Sequence, residues 1–148
     1  LAYNRSLISL TLTSTNAGDA GCVALCQALQ LENSTLTSLS LVDCEITSTG
    51  CQTLSHYIES SVCVLSTLNL SHNKINDDGI KRLARGFRGS MLDKIVLTDM
   101  DEMKKNSQGL VNMAAWSKLF RNGRVVIKLD PDFQIDEAQV KRESLVLM

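Results

Sequence analysis

The clearest pattern of hydrophobic and polar positions lies in residues 65–87, where two different periods follow one another. Leu68 and Leu70 alternate with polar residues, the spacing by which a strand buries one face. After a polar stretch, apolar side chains recur at intervals of three and four residues, the spacing of one buried helix face. These helix positions are Ile80, Leu83, Ala84 and Phe87. The stretch therefore predicts a strand, a turn and a helix.

The same pattern occurs in two earlier stretches and begins a fourth time. The three full copies start at Leu7, Leu36 and Leu65, each 29 residues after the last, and a fourth starts at Leu92 after 27 residues. The framework positions of the second and third copies are Leu36, Leu39, Leu41, Cys44 and Gly50, and then Leu65, Leu68, Leu70, Asn73 and Gly79. Regular leucines with a period in the high twenties are the signature of leucine-rich repeats.

Each repeat predicts one strand and one helix. The predicted strands lie near residues 8–12, 37–41, 66–70, 93–97 and 125–129, and the predicted helices near 19–30, 49–60, 78–88 and 107–121. Because each helix connects consecutive parallel strands, the connections should be right-handed. The expected fold class is α/β: a leucine-rich repeat solenoid, curved, with a parallel inner sheet and outer helices. The repeat glycines, Gly21, Gly50 and Gly79, should let each helix pack close to the strand layer.

The two ends of the array carry different signals. Asn122-Gly123 is a turn signal, and the following strand should close the array with Ile127 and Leu129 facing the core. We assign residues 1–129 to the C-terminal part of a repeat array with its closing strand, and residues 130–148 to a C-terminal tail. An end repeat needs a polar cap. The few residues before Leu7 are too short for one, so we expect more repeats or another domain to precede residue 1.

Two adjacent repeats carry a family resemblance. LVDCEITSTGCQTLSHYI and LNLSHNKINDDGIKRL resemble the alternating cysteine-type and asparagine-type repeats of ribonuclease inhibitor and of the leucine-rich domains of NOD-like innate immune receptors. The ending, MLDKIVLTDMDEM followed by RVVIKL, is similar to the last repeat and closing strand of such arrays. Thr15 and Met100 stand where those families have asparagine or cysteine, and Ala17 replaces a larger aliphatic residue.

The resemblance implies a non-catalytic protein-recognition module, the C-terminal repeats of a larger cytosolic sensor or scaffold. Its partner would be a protein ligand or another domain of the same parent chain, which it senses or holds inactive. Similar repeats occur in Ran GTPase-activating proteins, tropomodulins and ciliary scaffolds. An enzyme regulator and a ciliary or cytoskeletal scaffold therefore stay open as alternatives, because a shared fold does not fix a function.

The strand positions between the leucines should form the partner-binding surface on the concave side. With the turn residues at its rim, the expected set is Ser38, Ser40, Asp43, Thr67, Asn69, His72, Lys94, Val96 and Asp99. Asn69, His72 and Lys94 are favoured because hydrogen-bonding and charged groups concentrate there. In the first two strands, the small hydroxyl residues are better explained as solvated neighbours of the leucines. Asn73 is expected to be structural, with its amide satisfying backbone groups in the turn.

Composition limits the kinds of partner and the cellular compartment that we expect. The net charge is −1, so bulk charge suggests no partner, and we expect neither nucleic acid nor a membrane span. The five cysteines recur at repeat positions without a matching histidine pair, so we expect buried thiols, no metal and no cofactor. Free thiols favour the cytoplasm. Glycosylation triplets beginning at Asn4, Asn33 and Asn69 would matter only in a secreted chain.

Catalytic chemistry has little support in the sequence. His56 lies in a predicted outer helix and His72 in a loop, with no arrangement that predicts a nucleophile and its base, so we expect no catalytic residues and no enzyme activity. Lys81, Arg85 and Arg88 share one helical face that could dock phosphate or an acidic partner. A solvated outer helix explains these three cations equally well.

Overall fold

Strands and helices alternate along the whole chain. The computed structural model describes residues 1, 3–32, 35–100, 103, 107–120 and 125–147. The elements are β1 (Ser9–Thr13), α1 (Gly18–Glu32), β2 (Ser38–Val42), α2 (Ser48–Glu59), β3 (Thr67–Asn69), α3 (Asp77–Phe87), β4 (Lys94–Leu97), α4 (Gln108–Phe120), β5 (Val126–Leu129) and α5 (Glu137–Leu147). The expected Asn122-Gly123 turn and the first two residues of the triplet at Asn33 lie outside the described residues.

All five strands form one parallel sheet in the order β1-β2-β3-β4-β5. The register follows the repeat, since Leu39 pairs with Leu68, and Leu68 pairs with Ile95. Equivalent positions of successive repeats therefore lie side by side. The predicted strands are confirmed to within one residue at each end, and the first four predicted helices to within two.

The core lies between the sheet and the helices. Leu39, Leu68 and Ile95 are completely buried on the strands, and so are Leu54 and Leu83 on the helices. Burying a leucine side chain stabilises the folded chain by about 1.5–3 kcal/mol. The strands thus bury their apolar positions toward the helices and leave the intervening positions on the other side of the sheet.

The start of α2 is held by a side chain from the preceding repeat. The carboxylate of Asp19 accepts hydrogen bonds from the backbone N–H groups of Thr47 and Gly50, both at 2.9 Å, and from the Thr47 hydroxyl at 2.6 Å. Thr47 is itself the N-cap of α2. A carboxylate at this position also complements the positive end of the helix dipole. Asp19 therefore couples α1 to the first turn of α2.

The atoms packed against the repeat glycines are not the ones expected from the sequence. A Cβ atom at Gly79 would lie 2.8 Å from Cγ2 of Ile75 and 3.2 Å from Cα of Ser48 in α2. At Gly50 it would meet Asp19 and Ile46 at 2.5 and 2.7 Å. The near atoms thus belong to the preceding helix and to the loop before each helix, whereas the expectation named the strand layer.

Asn73 is buried and joins the turns of two repeats. Its Oδ1 accepts hydrogen bonds from the backbone N–H groups of Cys44 and Ile46, both at 3.0 Å. Its Nδ2 donates to the carbonyl oxygens of Leu41 at 2.7 Å and Leu70 at 2.9 Å. A single amide therefore satisfies backbone groups that would otherwise be buried without partners.

The C-terminal segment forms a further helix, α5. Val140 packs with Val111 and Ala115 of α4 in a small apolar cluster. Near the end of α5, Leu145 and Val146 are exposed. None of the helices in the described part of the chain is long and apolar enough to cross a membrane.

Candidate protein-binding surface

The register arranges the remaining strand positions in two rows across the sheet, which together we call the inner face. The first row contains Ser9, Ser38, Thr67, Lys94 and Val126, and the second contains Thr11, Ser40, Asn69, Val96 and Lys128. Neighbours within a row lie on strands about 4.8 Å apart. Six of the nine residues predicted to bind a partner lie in these rows. Lys94 is exposed, whereas Asn69 and Val96 are half-buried.

Asn69 is held by a hydrogen-bond network that spans two repeats. Its Oδ1 accepts from the backbone N–H of Ser71 at 3.0 Å and from the Ser71 hydroxyl at 2.7 Å. The same hydroxyl oxygen accepts from the Thr98 hydroxyl at 2.8 Å. Ser71 and Thr98 were not among the predicted residues, although they lie 27 positions apart and therefore occupy equivalent places in adjacent repeats. The network fixes the Asn69 amide without using its Nδ2, which hydrogen-bonds to no described residue.

The other three predicted residues lie in the turns that follow the strands. Asp43, His72 and Asp99, which we call the rim, all have a positive φ, between 53° and 58°. That conformation is uncommon outside glycine, although aspartate and histidine adopt it more often than most residues. The backbone N–H of His72 donates to the Thr98 carbonyl at 3.0 Å. The backbone N–H of Asp99 donates to the Asp130 carboxylate at 2.8 Å. The backbone of the rim is therefore held in place by residues that directly follow the neighbouring strand.

Two of the rim side chains contact each other. His72 Nε2 lies 3.1 Å from Asp99 Oδ2, and the two side chains are 54% and 58% exposed. A pair as exposed as this contributes less than about 1 kcal/mol to stability. Both groups therefore remain accessible to a partner. Asp43 is also exposed and forms no ion pair with a described residue.

A second exposed pair lies just beyond the rim. The Lys74 ammonium contacts the Glu45 carboxylate, and Glu45 also has a positive φ, of 60°. The sequence analysis did not single out either residue. The signal was available, because Glu45 and Lys74 lie 29 positions apart and therefore occupy equivalent places in adjacent repeats. Together with the rim, this pair adds ionic groups of both signs along one edge of the sheet.

The five cysteines are all free and buried. Burial raises the pKa of the Cys51 thiol, and the nearby Asp19 carboxylate raises it further. A hydrogen bond with Cys26 and burial both raise the pKa of the Cys22 thiol. The Cys22 and Cys51 thiols are therefore protonated at neutral pH and are poor nucleophiles and metal ligands. Among the described residues, no group of histidine, cysteine and acidic side chains is arranged to hold a metal ion.

Comparison with known families matches the strand and turn pattern in three stretches. The sequence profile described as "Leucine Rich repeat" matches residues 3–26, 32–55 and 63–84. The chain contains leucine-rich repeats. Its fold, with five parallel strands alternating with helices, is the α/β leucine-rich repeat solenoid that the leucine spacing predicts. The structure extends this repeat architecture beyond the matched residues, through β4 and β5.

One solved structure has the same fold at low sequence identity. It is titled "Leiomodin-1 Actin-Binding Site 2 (ABS2)" and superposes with a TM-score of 0.74. The match covers 97% of this chain and 79% of that chain, with 13% identity. An identity this low shows a shared fold only. No curated protein sequence matches the chain.

Proposed function

We propose that this leucine-rich repeat domain is a non-catalytic protein-recognition module whose partner binds the inner face and the rim. The observation that carries the proposal is the fixed amide of Asn69. Its oxygen is held by Ser71, and its Nδ2 is left without a hydrogen-bond partner among the described residues. A pre-positioned donor loses little conformational entropy when a partner binds. Lys94 and His72, on the neighbouring strand and turn, supply exposed polar groups beside it.

The size of the surface requires the rim to take part. Five strands about 4.8 Å apart, with about four residues each, give an inner face of roughly 300 Å². A standard protein interface covers about 800 Å² on each partner. Asp43, His72 and Asp99, together with the Glu45–Lys74 pair, extend the inner face along one edge.

The role we favour is that of the C-terminal repeats of a larger cytosolic sensor or scaffold, of the NOD-like receptor type. There the domain would sense a protein ligand or hold its parent chain inactive. The support is the resemblance carried by the cysteine-type repeat with Cys44 and the asparagine-type repeat with Asn73. The five free, buried thiols support a reducing compartment.

The second candidate is a cytoskeletal scaffold. Its support is the structural likeness to a solved structure whose title names an actin-binding site. Co-sedimentation with filamentous actin separates the two candidates. Saturable sedimentation of the wild-type domain favours the scaffold, and a supernatant that retains all of the domain favours the sensor.

A matched pair of charge reversals tests the proposed surface. Lys94→Glu alters the inner face, whereas Arg142→Glu makes the same change in charge at an exposed position of α5. The immobilised wild-type domain is used to capture proteins from cytosolic extract, and each captured protein is quantified for both variants. The proposal expects a captured protein that is lost with Lys94→Glu and retained with Arg142→Glu. Identical capture by all three chains would contradict it.

A further inference from the structure

A groove on the helix side of the solenoid, opposite the inner face, has the features of a second binding surface. It lies between α3 and α4 and encloses about 470 Å³. One wall carries Lys81 and Arg85 of α3 and its C-cap residue Arg88, and the other carries Gln108, Asn112 and Trp116 of α4. We call it the α3–α4 groove.

Trp116 occupies the position in α4 that a closely packed glycine, Gly86, occupies in α3. Gly86 lies seven residues after the repeat glycine Gly79, and Trp116 lies seven residues after Gly109. At Gly86, an added Cβ would lie 2.2 Å from the Ser55 carbonyl oxygen, so α3 and α2 touch there. At Gly109, an added Cβ would lie 2.7 Å from the backbone of α3, so the two helices also touch at the start of α4. Two helical turns later, α4 has the chain's only tryptophan in place of a glycine, and its indole lines the groove beneath the guanidinium of Arg88.

The cations along the groove differ in how fully they are already paired. Lys81 Nζ lies 3.0 Å from the Asp77 carboxylate, and the guanidinium of Arg88 stacks over the Trp116 ring, 4.4 Å from its centre. Arg85 lies between them on the same helix face, is exposed, and has no ion pair or hydrogen bond with a described residue. Lys81 and Arg88 are seven residues apart, which separates them by roughly 10 Å along the helix axis. Arg85 is therefore a ready partner for an incoming carboxylate.

The Arg88–Trp116 stack also borders a small apolar pocket. The pocket holds about 80 Å³ and is lined by Phe87, Leu92 and Val125 as well as by the stack itself. An engineered cavity of about 150 Å³ accepts benzene. A pocket about half that size suits an aliphatic side chain better than an aromatic ring. A half-buried tryptophan with a stacked arginine is also the kind of pair that often dominates binding energy at an interface.

We propose that the α3–α4 groove binds an acidic segment of a partner protein, with carboxylates about one helical turn apart and a neighbouring aliphatic residue. The carboxylates would pair with Arg85 and Arg88, and the aliphatic side chain would enter the pocket beside Trp116. Charge complementarity supports this occupant, since the residues lining the groove include three cations and a single carboxylate, Glu59. A nucleic acid fits less well, because three cations are few for a backbone of regularly spaced phosphates. This surface is independent of the inner face and of the function proposed for it.

A labelled peptide tests the proposal by fluorescence anisotropy. The probe is a twelve-residue helical peptide with glutamates at positions i and i+4 and leucine at i+7, and its control has glutamine in place of both glutamates. We expect the wild-type domain to bind the glutamate peptide in a salt-sensitive manner, because exposed charges are screened as ionic strength rises. Arg85→Glu should weaken binding by roughly tenfold or more, because it puts like charges together. Arg142→Glu, with the same change in net charge, should not.

The fold of each variant is checked by circular dichroism, and Arg85 is exposed, so its replacement should leave the core intact. A Trp116→Phe variant provides a second measurement, with weaker peptide binding expected because phenylalanine makes a poorer cation–π partner. Three results would overturn the proposal. They are equal binding of the glutamine peptide, equal losses for Arg85→Glu and Arg142→Glu, and tighter binding of a single-stranded oligonucleotide than of the peptide.

Discussion

The side chain of Asn73 supplies the hydrogen-bond acceptor for the backbone N–H of Cys44, which lies 29 residues earlier in the chain. Asn73 Oδ1 accepts a hydrogen bond from the backbone N–H of Cys44 at 3.0 Å, and Asn73 is only 3% exposed. At the equivalent position one repeat earlier, the Cys44 thiol lies 3.5 Å from the Leu12 carbonyl oxygen and accepts from the Thr15 hydroxyl at 3.2 Å. A thiol is a weaker donor and acceptor than an amide. The hydrogen bonds that connect the second and third repeats at this position are therefore stronger than those that connect the first and second.

Asn73→Ala should destabilise the domain by about 3–5 kcal/mol, because the buried backbone N–H groups of Cys44 and Ile46 lose their acceptor and the amide's other hydrogen bonds are lost with it. Asn76→Ala is the matched control. Asn76 is the N-cap of α3 and its side chain accepts one hydrogen bond, from Gly79. The loss for this variant should be about 1 kcal/mol. Urea unfolding measures both. Equal losses would show that Asn73 does not join the two turns.

Gly86→Ala should be strongly destabilising, because the new methyl group would lie 2.2 Å from the Ser55 carbonyl oxygen and would force α3 away from α2. We expect a loss of about 2–4 kcal/mol, the range for overpacking at a rigid contact. Gly89→Ala adds the same methyl group near the flexible Glu59 side chain, at 3.1 Å. Thermal unfolding should show a large drop in the midpoint for the first variant and a small change for the second. A small change for both would contradict the tight contact.

The repeats and their elements were predictable because leucine spacing is a local signal. Leu39, Leu68 and Ile95 mark the strand positions directly, and the offsets of 29 and 27 residues between them then set the register. The Asn69–Ser71–Thr98 network and the contact between Gly86 and Ser55 could not be predicted in this way. Both depend on how far one repeat is rotated and shifted against the next, which no single repeat encodes.

The same limit applies to the candidate site. The period alone indicated which side chains share a row of the inner face, so Lys94 could be placed beside Thr67. That His72 contacts Asp99 depends on a backbone conformation with positive φ at both residues, which the sequence does not specify. The packing of α5 on α4 involves a segment outside the repeat pattern, and no periodic signal described its position.

Stability should fall as the pH rises above about 9. The ordinary pKa of a cysteine thiol is 9.0, and burial raises the pKa of Cys51 well above that value in the folded chain. Between the two values the unfolded chain has lost the proton and the folded chain still holds it, so higher pH favours unfolding. The slope is at most about 1.4 kcal/mol per pH unit for each such thiol.

Urea midpoints measured at pH 8, 9 and 10 test this dependence. The wild-type midpoint should fall between pH 9 and 10, and Cys51→Ala should show a shallower fall because one buried thiol is absent. A wild-type midpoint that is constant over this range would contradict a raised thiol pKa in the folded chain. An equally steep fall of the Cys51→Ala midpoint would contradict it as well.

Site-specific photo-crosslinking tests the central claim, that partners bind the inner face, most directly. A photoreactive phenylalanine analogue is placed at Val96, beside Asn69 in the second row, and separately at Arg142 on α5. Each protein is irradiated with a captured partner, and the adducts are quantified by mass spectrometry. The account predicts abundant adducts from position 96 and few from position 142. Adducts from position 142 without any from position 96 would contradict it.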